Sequence, residues 1–167
     1  MKTKLIAILY STSSLVAADP IPNPLIDYPK FIQIAGKVEP LREGRRVSEE
    51  KFMELAALPG TVMLDARSAD KFAMRHIRGA VSLPFTDFTE AALAAAIPTK
   101  ATRILIYCNN NFRGSPAALA EKNQAASLNI STFIALTTYG YTNVFELGPL
   151  LDMATTRLPF AGTEVTK

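Results

Sequence analysis

The chain is predicted to fold as one α/β domain around a mainly parallel sheet, and three observations carry that reading. Short, largely apolar runs (Thr61 to Leu64, Ala80 to Leu83, Arg103 to Tyr107 and Asn143 to Leu147) alternate with segments that carry helix caps and stops. The runs are nearly continuous in hydrophobicity rather than alternating, as in strands buried on both faces. One of them, Ile104 to Tyr107, ends at Cys108, the only cysteine, and passes straight into three asparagines. With 167 residues the chain suits one domain and can bury a sizeable core.

Taken in order, residues 1–18 read as an export signal. Lys2 and Lys4 precede an apolar stretch, Leu5 to Tyr10, and Val16-Ala17-Ala18 offers small residues where a signal peptidase cuts, near Ala18-Asp19. Cleavage removes both lysines and lowers the formal charge from +3 to +1, and it predicts a periplasmic or secreted protein. No apolar run reaches the roughly 18 residues of a membrane span, so no stable span is expected after cleavage. Residues 19–45 are predicted to be a Pro-rich arm and linker, with an edge strand within Phe31 to Val38 and a loop punctuated by Gly36, Pro40 and Gly44. Arg42, Arg45 and Arg46 form the densest basic patch, but no aromatic residues interleave with them. They read as a solvated linker, and no nucleic-acid partner is expected.

The domain itself is placed at 46–155 and a tail without pattern at 156–167. Ser48 is a good N-cap with Glu49 and Glu50 in the first turn, and Pro59-Gly60 stops that helix. Ser68 to Met74, the alanine-rich Thr89 to Ile97, Pro116 to Ala126 and Thr132 to Tyr139 read as further helices.

Cys108 is the candidate nucleophile. A strand that ends in a thiol and a polar loop belongs at the carboxyl edge of an open α/β sheet, where such folds bind ligands. Asparagine tolerates left-handed backbone angles, and loop amides that converge on an anion can favour a thiolate. An exported protein with one thiol has no internal disulfide, which points to intermolecular pairing or reactive chemistry. One Cys and one His cannot assemble a metal site, and no cofactor is expected.

Together these pieces resemble the rhodanese family. The resemblance rests on Val47-Ser48-Glu49-Glu50, on Val62-Met63-Leu64-Asp65-Ala66-Arg67, on His76-Ile77 with Gly79-Ala80 and Leu83-Pro84, on Ile104 to Cys108, and on Gly140-Tyr141-Thr142-Asn143-Val144. It implies a three-layer α/β/α domain with a five-stranded sheet and a sulfurtransferase that passes a sulfane sulfur through a Cys108 persulfide. Its partners would be a small thiosulfate-like donor and a thiol or cyanide-like acceptor, including a protein thiol. The resemblance also places Asp65 and Arg67 near the site as scaffold and His76 in a structural turn. Within the family the chain resembles an exported bacterial branch with a C-N-N-N-F loop and a long insert.

The family loop runs C-x-x-G-x-R into a helix. In one register Asn109, Asn110, Asn111, Phe112 and Arg113 are the substrate-binding loop, with Asn111 in place of glycine. In the other, preferred because Gly140 lies so far downstream, Asn109 to Leu128 is one enlarged loop and Arg113 has no assured place beside the thiol. Two other functions compete with sulfur transfer. One is a non-catalytic thiol or persulfide carrier or redox-relay module. The other is a cysteine phosphatase, disfavoured because that chemistry needs C-x5-R and the arginine here comes one residue early.

Overall fold

A computed structural model describes residues 21–165; the export signal expected at 1–18 lies outside them. The strands are β1 (Arg46–Val47), β2 (Thr61–Asp65), β3 (His76–Ile77), β4 (Val81–Ser82), β5 (Arg103–Tyr107), β6 (Phe112–Arg113), β7 (Val144–Leu147), β8 (Leu151–Asp152) and β9 (Phe160–Ala161). The α-helices are α1 (Tyr28–Glu43), α2 (Glu49–Ala56), α3 (Ala69–Met74), α4 (Glu90–Ala96) and α5 (Leu128–Thr138). Five strands form one parallel sheet in the order β1-β7-β5-β2-β4. β5 is central: it pairs with β2 from Thr61↔Arg103 to Asp65↔Tyr107, and with β7 from Ile104↔Val144 to Ile106↔Glu146.

The period of two along β5 divides the core. Ile104 and Ile106 pack on one face with Leu93, Phe133 and Val144, whereas Leu105 and Tyr107 pack on the other with Phe52, Leu55 and Leu147. The result is the three-layer α/β/α architecture, with the four expected strands in place and β4 trimmed to its middle two residues.

Four segments depart from expectation. Residues 28–43 are helix, not arm, edge strand and loop: Asp27 caps the helix by accepting from the Lys30 N–H, and Pro29 sits in its first turn. Phe31, Ile34, Ala35 and Val38 have the i, i+3, i+4, i+7 spacing of a helix, and Val38 is buried against the core beside α5. Pro40 is accommodated on the exposed side. Pro116 to Ala126 is not a helix. The chain turns at Gly114, whose φ of +91° suits glycine, and stays irregular until a short 3-10 turn at Gln124–Ala126. The region expected to be a turn at His76 contributes β3, which pairs antiparallel with β9. The tail therefore returns to the domain. Leu158 is buried, and Glu49 Oε1 accepts hydrogen bonds from the Thr156 hydroxyl and the Arg157 N–H, at 2.5 and 2.7 Å.

Candidate active site

Cys108 follows the last residue of β5, at the carboxyl edge of the sheet. Because Ile106 faces the side covered by α1 and α5, the alternation sends the Cys108 side chain the same way. Its Sγ lies 3.5 Å from Ser127 Oγ, at the N-cap of α5. Ser127 makes no side-chain cap bond to its own helix, so its hydroxyl is turned to the sulfur instead. The residue is 1% exposed, yet it borders a cavity of about 210 Å³.

The three asparagines brace this site by hydrogen bonding. No non-glycine residue among those described has positive φ, so the left-handed conformations expected of them are not used; Asn109–Asn111 forms a 3-10 turn. The Asn111 Oδ1 accepts from the Cys108 N–H at 2.9 Å and from Asn129 Nδ2 at 3.0 Å, while its Nδ2 donates to the Leu147 carbonyl at 2.7 Å. One side chain thus ties the cysteine to both α5 and β7. Asn109 donates to the Ala120 carbonyl, and Asn110 both donates to the Lys122 carbonyl and accepts from the Lys122 N–H. Of the loop amides expected to face the sulfur, the Asn111 N–H donates to the Cys108 carbonyl and also meets the Cys108 side chain in a capping box, whereas the Phe112 N–H donates to the Asn109 carbonyl.

Not every loop residue reaches the cavity. Cys108, Asn110 and Asn111 line it. Phe112 is wholly buried, edge-on to Tyr107 and Phe160, and belongs to the core. Arg113 is exposed and lines a different cavity, one that does not include Cys108. The guanidiniums in the thiol cavity are those of Arg42 and Arg46, which the sequence reading left in a solvated linker. Arg42 forks onto Glu146 of β7, with Nε–Oε2 at 2.5 Å and Nη2–Oε1 at 2.6 Å, and Glu146 is buried. Arg45 instead lies over the Phe145 ring, 4.7 Å from its centroid.

Asp65 and Arg67 form a buried pair beneath the loop. Arg67 Nη2 is 2.6 Å from Asp65 Oδ2, and its Nη1 donates to the Ala118 carbonyl, which pins the insert. The Tyr107 hydroxyl donates to Asp65 Oδ2 at 2.5 Å and accepts from the Ile77 N–H. Burial, reinforced by the Asp65 charge, pushes the Tyr107 phenol well above its usual value. Although burial works against its charge, hydrogen bonding to Asp65 raises the Arg67 guanidinium further. His76 stacks on Phe72 with ring centroids 3.8 Å apart, and its Nδ1 lies 2.8 Å from the Phe72 carbonyl oxygen, a structural placement away from the thiol cavity. Among the described residues no group of three or more Cys, His, Asp or Glu side chains could hold a metal.

Comparison with known proteins agrees with this architecture. The model of the rhodanese-like domain family matches residues 48–148. Over 91 residues, 54% of this chain and 72% of the relative, the sequence is 29% identical to thiosulfate sulfurtransferase PspE of Escherichia coli (strain K12). A solved structure of an EanB variant in complex with hercynine is similar over 70% of this chain and 27% of that one, at TM-score 0.52 and 18% identity. The rhodanese-like domain of an Anabaena sp. protein is similar over 72% and 80%, at TM-score 0.48 and 20% identity. Arg42 and Arg46 precede the residues that match the family.

Proposed function

Since the chain belongs to the rhodanese-like domain family, we propose that it is a sulfurtransferase in which Cys108 carries a sulfane sulfur from a small thiosulfate-like donor to a thiol or cyanide-like acceptor. The observation that carries this reading is the placement of the Cys108 sulfur. It borders a polar cavity at the carboxyl edge of the sheet, opposite the Ser127 hydroxyl and the start of an 11-residue helix. A helix N-terminus and a hydroxyl donor both favour negative charge on the sulfur, which thiolate chemistry requires.

The chemistry balances without an outside oxidant. The Cys108 thiolate attacks the outer sulfur of the donor; a new S–S bond forms, the donor's own S–S bond breaks, and sulfite leaves with the electron pair. The acceptor then attacks the terminal sulfur of the persulfide, and Cys108 departs as thiolate. Ser127 and the α5 terminus face the position where charge returns. The sequence of residues 1–18 further supports export, so the proposed site of action is the periplasm or the exterior.

Steady-state assay with thiosulfate and cyanide tests the reading: thiocyanate forms with the wild-type protein and not with Cys108→Ser. A wild-type protein that accepts sulfur from the donor but never turns over would favour the persulfide-carrier function instead.

A further inference from the structure

We propose that Arg46 is the residue that docks the anionic sulfur donor in the thiol cavity, with the Arg42–Glu146 pair setting the charge beside it; this rests on the sulfurtransferase reading above. The cavity needs a cation because the donor is anionic and the reacting group is a thiolate. Arg113, the loop's only arginine, faces another cavity. The two guanidiniums present come from α1 and β1, both outside the family-matched residues.

Their engagements differ. Arg42 is committed, since its fork occupies both oxygens of Glu146 at 2.5 and 2.6 Å. Glu146 has reason to hold it. A bare carboxylate in the wall of this cavity would repel a thiolate, a persulfide and the donor alike, and Arg42 cancels that charge. Arg46 is only loosely held. Its Nε is 4.0 Å from Glu146 Oε1, Nη1 is 3.4 Å from the exposed Glu43, and Nη2 donates to the Gly148 carbonyl at 3.2 Å. Its side chain is 39% exposed, so much of its donor capacity remains for a ligand.

Its backbone, in contrast, is fixed. The Glu146 N–H donates to the Arg45 carbonyl and the Gly148 N–H to the Val47 carbonyl, which lock β1 against β7 on either side of Arg46. Among the residues that line the cavity two guanidiniums stand against one carboxylate, which leaves one net positive charge at its wall; the Glu43 carboxylate that meets Arg46 is exposed and lies outside the lining. An anionic donor is matched by that charge, and a neutral or cationic one is not. The arginine role has therefore moved from the loop to an edge strand that the sheet brings alongside.

Two readouts on the full chain test this. Isothermal titration of thiosulfate into the Cys108→Ser protein, which cannot react, measures docking alone. Arg46→Ala should weaken binding by about tenfold or more, Arg46→Lys should recover part of the loss, and Arg113→Ala should leave it unchanged. In turnover, Arg46→Ala should raise KM for thiosulfate while kcat changes little. Glu146→Gln, which releases Arg42 and removes the negative charge, should tighten thiosulfate binding. Unchanged binding in Arg46→Ala, binding lost on Arg113→Ala, or no thiosulfate binding to Cys108→Ser would each overturn the assignment. A wild-type protein without turnover whose thiosulfate binding still depends on Arg46 would sink the sulfurtransferase reading and leave the docking role standing.

Discussion

Tyr107 shows how single residues hold the site's foundation. Its hydroxyl joins Asp65, and through Asp65 Arg67, to the Ile77 amide, all in the buried layer under the loop. Tyr107→Phe should cost about 1–3 kcal/mol in a denaturant titration, because both the Asp65 oxygen and the Ile77 N–H lose a partner. The pH dependence has a definite sign. The folded-state phenol is raised above its ordinary value of 10.0, so the neutral hydroxyl contributes fully below that pH and its contribution is lost as pH climbs through the raised value. The alkaline fall in stability above about pH 10 should therefore be shallower in Tyr107→Phe. Cys108, Asp65 and Arg67 were legible in the sequence because each belongs to a short local motif. Arg42 and Glu146 were not. They are 104 positions apart, and only the pairing of β1 with β7 brings them to one cavity.

At the level of elements, the segment from Asn109 to Ser127 is an enlarged loop that is stapled rather than helical. Asn111 is its principal staple, reaching the Cys108 amide, Asn129 and the Leu147 carbonyl. Asn111→Ala should lower stability by about 1–3 kcal/mol and reduce turnover out of proportion to it, since the amide of Cys108, the proposed nucleophile, loses its anchor. Thermal melts and the thiocyanate assay on the same samples separate the two effects. The sequence showed where this loop begins and that α5 starts late. It misled on the asparagines: their usual freedom of φ suggested left-handed turns, whereas here their side-chain amides do the holding. In α1 the helical spacing of Phe31, Ile34, Ala35 and Val38 was present in the sequence, but Gly36 and Pro40 read as loop punctuation and concealed it. Tertiary packing against α5 outweighs those weak local preferences.

For the whole molecule, a family domain at residues 48–148 is completed by segments on either side of it. The N-terminal segment supplies α1 and β1, and with them both guanidiniums of the thiol cavity. The C-terminal segment supplies β8 and β9, which pair with β6 within the loop and with β3 on the opposite core face. Glu49 fastens that returning segment: burial opposes its charge, but hydrogen bonds from the Thr156 hydroxyl and the Arg157 N–H hold its carboxyl below the usual value. The central claim for this assembly is that its one thiol accepts a sulfur atom, and intact mass spectrometry tests it most directly. After incubation with thiosulfate and desalting, the wild-type chain should gain one sulfur, about 32 Da, and cyanide should remove it, whereas Cys108→Ser should gain nothing. A wild-type mass that stays unchanged, or an equal gain in Cys108→Ser, would contradict the account.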